Sequence, residues 1–164
     1  MRFSRKLVIP AATLGFALVA AACGSPRGYS AAASNGGGAP AANPASTVAI
    51  ANGKLGPMLV DPKGRTLYLF EADKGTTSTC YDGCAQAWPP LLTSGPPSAG
   101  TGVNAGDLAT TTRSDGTMQV TYHGHPLYYY VVDTKPGDLN GQNLNQFGAK
   151  WYVLAPSGDK IDNG

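Results

Sequence analysis

The sequence predicts a mainly β domain. Two tandem, pseudo-equivalent antiparallel meanders pack as a sandwich or an irregular barrel, with one short helical turn near 82–88. Three observations carry this. The stretch Gly64-Arg65-Thr66-Leu67-Tyr68-Leu69-Phe70-Glu71-Ala72-Asp73 returns sixty residues later as Gly124-His125-Pro126-Leu127-Tyr128-Tyr129-Tyr130-Val131-Val132-Asp133. From Thr47 onward, short apolar runs alternate with the turn sequences Asn52-Gly53, Asp61-Pro62-Lys63-Gly64, Ser114-Asp115-Gly116 and His123-Gly124. Beyond the one helical turn, no stretch carries a helical period.

The N-terminus reads as an export signal, residues 1–22. Arg2, Arg5 and Lys6 precede an apolar run, Leu7 to Ala21, that is too short to span a bilayer. Ala20, Ala21 and Ala22 lead into Cys23-Gly24, which resembles a bacterial lipobox and implies that Cys23 is diacylated and becomes the mature N-terminus. Residues 23–46 are Ala, Gly, Ser, Pro and Asn with almost nothing bulky, a composition that cannot offset its ordering entropy. They read as a tether with a typical end-to-end distance of about 25–30 Å. Without the three basic residues of the signal, nine Lys and Arg face ten Asp and Glu, so the formal charge of +2 is no argument for nucleic acid.

A single β domain follows over 47–162, with repeats at 47–92 and 107–155. Val48 and Ile50 open the first strand, and Met58 and Val60 the second. The aromatic strand Thr66 to Glu71 has Leu67 and Leu69 on one face and Tyr68 and Phe70 on the other, as in an interior strand. Asp82 is placed to cap the helical turn that carries Cys84, and Pro89-Pro90 ends it. Gly, Pro, Ser and Thr over 93–106 link the repeats. In the second copy Leu108, Met118 and Val120 answer Val48, Met58 and Val60. The alternation of Thr117 to Tyr122 directs Met118, Val120 and Tyr122 inward and Thr117, Gln119 and Thr121 outward. Lys150 to Leu154 form a closing strand.

Both aromatic strands fit Y-x-[FWY]-x-x-D, through Tyr68, Phe70 and Asp73 and through Tyr128, Tyr130 and Asp133. With Cys80 and Cys84, Trp88-Pro89-Pro90, His123-Gly124-His125 and Trp151, the chain resembles the bacterial lipoproteins called "secreted repeat of unknown function". The resemblance covers essentially the whole folded part. It implies an envelope location and a duplicated unit, carries a loose association with alkane utilisation, and supplies no activity.

Each candidate for chemistry has a structural reading beside it. Cys80 and Cys84 are an even pair in an oxidising compartment, read as a disulfide closing a tight loop, with a redox or thiolate-metal role as the alternative. His123 and His125 are the only histidines, two apart, and can share a soft metal such as copper, whereas the intervening glycine favours a turn with local hydrogen bonds. Asp73 and Asp133 end equivalent strands, where an aspartate usually accepts from the amides of the next turn. The loop Asp138 to Asn143 has calcium-like residues but no EF-hand pattern. Trp88, Trp151 and the strand aromatics read as core before pocket, and Tyr129, opposite Leu69 in the other copy, is the aromatic the shared frame does not require.

No nucleophile elbow, P-loop, zinc-protease or nucleotide motif is present, which points away from an enzyme. The reading is therefore a lipid-anchored, extracytoplasmic binding or scaffolding module with an envelope protein or a small apolar ligand as partner and no obligatory cofactor. The alternative is a copper-handling or electron-transfer accessory using His123 and His125. An envelope hydrolase is the third reading.

Overall fold

The computed structural model describes residues 45–162. The expected signal peptide, the expected lipidation site Cys23 and the expected tether up to residue 44 lie outside the described residues. Within them the fold is mainly β, with ten strands in three sheets, one α turn, one 3-10 turn and no closed barrel.

The first repeat opens with the hairpin β1 (Thr47–Gly53) and β2 (Gly56–Val60), paired from Ala49 opposite Val60 to Gly53 opposite Gly56. The second opens with its counterpart, β6 (Leu108–Thr112) and β7 (Met118–Tyr122), paired from Leu108 opposite Tyr122 to Thr112 opposite Met118. Between them lie β3 (Tyr68–Phe70), α1 (Gly83–Ala87), β4 (Leu92–Thr93) and β5 (Ser98–Ala99). β8 (His125–Pro126), β9 (Asn145–Gln146) and β10 (Ala149–Val153) complete the chain. The sheets run β2-β1-β5, β3-β10-β9 and β4-β7-β6, with β8 on the edge of β7. The contact of β1 with β5 is parallel and two residues long; the strand pairings are otherwise antiparallel.

The repeats exchange their closing segments. β10, from the second repeat, pairs with β3 of the first: Trp151 faces Phe70, Tyr152 faces Leu69 and Val153 faces Tyr68. The Leu59 N–H then donates to Leu154 O. Conversely, residues 87–93 of the first repeat run along the second. Val131 N–H donates to Ala87 O, Tyr129 N–H to Pro89 O and Leu91 N–H to Leu127 O, and β4 then pairs with β7.

The alternation of the aromatic strands divides the core. Leu67, Leu69 and Leu127 join one cluster with Val48, Leu59, Val120 and Tyr152. Tyr68, Phe70 and Tyr128 join the other with Trp88, Trp151 and both cysteines.

Three local expectations change. The second aromatic stretch is extended but forms no regular strand across Tyr128–Tyr130, because it lies against Pro89 and Pro90, which have no N–H to give to a ladder. Gln119 and Thr121 are buried rather than solvated, at 0% and 1% exposure; the buried Arg113 guanidinium donates to Gln119 Oε1, and Gln119 Nε2 donates to Leu127 O. Met118 is only half-buried. Asp82 has a positive φ of 49° and makes no side-chain cap, so α1 starts without one.

Candidate functional site

The repeated signature meets itself at the centre of the molecule. Tyr68 and Tyr128 occupy the same position in their repeats and form one antiparallel bridge, each N–H donating to the other's carbonyl at 2.9 and 3.0 Å. An approximate two-fold axis therefore passes between them. Their hydroxyls cross over: Tyr68 donates to Asp133 Oδ2, and Tyr128 donates to Asp73 Oδ2 at 2.7 Å. Each tyrosine is held by the acid of the other repeat. The second carboxylate oxygens fix the following loops. Asp73 Oδ1 accepts from Thr79 N–H and Oγ1–H, and Asp133 Oδ1 from Asn140 N–H and Nδ2. Burial pushes both phenols well above their ordinary range, so they remain donors. Burial also raises Asp73, against the opposing pull of its Thr79 and Tyr128 hydrogen bonds.

The aromatic members of the signature form a column on the same axis. Phe70 stacks on Trp151 at 4.0 Å, Trp151 on Trp88 at 3.9 Å, and Trp88 on Tyr130 at 4.1 Å. Tyr68 meets Trp88 edge-on and Tyr128 meets Trp151 likewise, completing the symmetry. One residue serves both indoles: Gln146 accepts from Trp88 Nε1 through its side chain and from Trp151 Nε1 through its carbonyl. Gly141 lies so close to Trp88 and Tyr68 that an added Cβ would fall within 2.9 Å of both rings. The Cys80–Cys84 disulfide closes the loop that leads into Trp88.

The symmetry breaks at three places. Arg113, buried, donates from Nη1 to Ser78 Oγ and Gln119 Oε1 and from Nη2 to Cys80 O, and Ser78 Oγ in turn contacts the Tyr128 hydroxyl. Tyr129 lies under the Arg65 guanidinium at 3.9 Å and reaches Asp61 Oδ2 at 3.2 Å. Asp61 also accepts from the N–H groups of Lys63 and Arg65, and so clamps the turn before β3. The matching turn in the second repeat is the tight His123-Gly124 pair, both residues left-handed with φ 46° and 84°.

That turn sends the two imidazoles to different neighbours. His123 Nε2 is 3.3 Å from Asp107 Oδ2, and its side chain packs so closely on Gly158 that a Cβ there would fall 2.4 Å from the His123 Cβ and 2.5 Å from the ring. The His125 side chain lines an open groove of about 530 Å³ with Leu69, Phe70, Glu71, Asp73, Asp159 and Lys160. Among the described residues no protein group hydrogen-bonds its imidazole, and no three His, Cys, Asp or Glu side chains gather as a metal-binding group.

The groove joins the two ends of the sequence argument. Phe70, at the end of the ring column, and Asp73, in the cross-repeat lock, both border it. Glu71, Asp159 and Lys160 line the groove without being candidates of the sequence reading. Glu71 had a readable signal: its counterpart is the apolar Val131, so the repeated frame does not require a charge there. Asp159 and Lys160 had none, since the hairpin that carries them lies beyond the second repeat.

A family model described as a secreted repeat of unknown function matches the chain twice, over residues 49–92 and 109–155. No curated protein and no solved structure matches. Among the described residues no helix is long and apolar enough to cross a membrane.

Proposed function

Given that the chain belongs to the family of secreted repeats of unknown function, we propose that it is an extracytoplasmic binding module, held at the membrane by lipid on Cys23, whose ligand occupies the groove beside His125. The observation that carries this reading is the division of labour within the signature. Tyr68, Tyr128, Asp73, Asp133 and the four stacked rings are engaged with one another across the two repeats, which makes them a frame. The groove includes two positions at which the repeats differ, Glu71 and His125, and sets several polar groups beside the buried Leu69–Phe70 segment. Its hydrogen-bonding capacity includes the His125 imidazole, which no group among the described residues satisfies.

The test is an NMR titration of the isotope-labelled protein with a panel of cationic, anionic and neutral small molecules and Cu(II). Shifts confined to Leu69, Glu71, His125 and Lys160, and lost in His125→Ala, support the groove. Perturbations elsewhere, or none, overturn it. Copper binding lost equally in His123→Ala and His125→Ala favours the copper-handling reading, in which His123 exchanges Asp107 for the metal. The anchor is tested separately: Cys23→Ala releases the protein from the membrane fraction, and retention there contradicts lipidation at that residue.

A further inference from the structure

The groove already holds one cation, the chain's own. Lys160 Nζ lies 2.7 Å from Glu71 Oε1, 3.4 Å from Asp162 Oδ2 and 4.4 Å from the centre of the Tyr152 ring. A carboxylate set beside an aromatic face is an arrangement suited to organic ammonium groups. The backbone behind Lys160 is fixed by the Leu154–Lys160 bridge and by the Ile161 N–H on Val153 O at 2.8 Å. Only the flexible side chain reaches in. It remains 40% exposed, and exposed ion pairs of this kind are weak and screened by salt.

Taking Lys160 out of the groove changes its character. The remaining polar lining groups are Glu71, Asp73, Asp159 and the His125 imidazole, with no lysine or arginine among them. Asp73 is committed through both oxygens to Tyr128 and Thr79, whereas Asp159 accepts from Ser157 at Oδ2 alone and Glu71 meets Lys160 at Oε1 alone among the described residues. The charge is also specific to one copy: where the first repeat has Glu71 at the end of its aromatic strand, the second has Val131.

We infer that the groove is a site for a small organic cation, a primary amine or diamine, and that Lys160 is its built-in competitor. The incoming ammonium takes the place of Lys160 Nζ against Glu71 and the Tyr152 face. A second amine on the same molecule points toward Asp159 and His125. This inference rests on the groove-binding reading above and adds its ligand class and its internal regulation.

The experiment is calorimetric titration of cadaverine into the full chain at low ionic strength, with the variants Lys160→Met, Glu71→Gln and the double variant. Lys160→Met keeps the apolar stem and removes the competing charge, so it binds cadaverine about three- to fivefold more tightly than wild type, the factor expected for loss of one exposed ion pair. Glu71→Gln and the double variant lose binding. Melting temperature and amide spectra of each variant show that the fold is retained. Unchanged or weaker binding in Lys160→Met overturns the inference, as does glutarate binding better than cadaverine. If other panel members shift the groove residues while cadaverine does not, the inference falls and the groove reading stands; if nothing does, both fall.

Discussion

The crossing hydrogen bonds make a quantitative prediction about which residues are coupled. In Tyr68→Phe the Asp133 carboxylate loses its phenol donor while keeping both groups of Asn140. A buried hydrogen bond to a charged acceptor contributes about 1.5–3 kcal/mol, so the variant should lose about 2 kcal/mol in urea unfolding. Asp133→Asn should cost a similar amount. The informative quantity is their coupling in a double-mutant cycle, expected at about 1–2 kcal/mol, because the second substitution finds the bond already gone. The same holds for Tyr128 with Asp73. The control is the pair within one repeat, Tyr68 with Asp73 or Tyr128 with Asp133, which lie five residues apart in the signature but share no direct bond. Their coupling should be within about 0.5 kcal/mol of zero. Equal coupling within and across repeats, or strong coupling only within, would refute the cross-repeat lock.

Three further expectations follow from the same geometry. Because burial raises the folded-state values of Tyr68, Tyr128 and Tyr129, the unfolded chain releases their protons first, so the stability they carry is complete below about pH 10 and declines as pH rises beyond it; urea midpoints measured from pH 8 to 11.5 check this, and Tyr68→Phe should flatten the decline. Replacing Cys80 and Cys84 with serine opens a five-residue loop and should cost about 2 kcal/mol on the chain-entropy model, measured by denaturant unfolding, with groove binding kept. Gly141→Ala forces a methyl into the Trp88 and Tyr68 rings and should cost about 1–3 kcal/mol, with a changed near-ultraviolet circular dichroism spectrum from the indole stack.

Much of the frame was legible because duplication leaves a pattern that a single copy does not. The sixty-residue offset identified the equivalent strands, the hairpins and the terminating acids, and the splitting of Leu67 and Leu69 from Tyr68 and Phe70 onto opposite faces follows directly from strand alternation. What the offset could not carry was the pairing across repeats. Correspondence says that Tyr68 and Tyr128 are alike, not that they touch; only the closing of Trp151–Val153 on β3 and of Ala87–Thr93 on the second repeat decides that. Gln119 differs for a related reason: alternation reports which face a residue is on, but here the outward face is also buried, with Arg113 and Leu127 O as the partners of the Gln119 amide. In the groove, His125 was singled out from its position beside His123. Lys160 was not, since a lysine in a polar C-terminal hairpin has no periodicity or motif, and its pairing with Glu71 appears only when that hairpin folds back.

The claim that the two repeats are halves of one interlocked unit is tested most directly by cutting the chain between Gly102 and Val103, in the exposed link. Residues 45–102 and 103–162, purified separately, should each lack a cooperative urea transition and the near-ultraviolet signal of stacked indoles, because each lacks the strand that closes it. Mixed in equal amounts, they should recover both. A single half that unfolds cooperatively as a monomer would contradict the account.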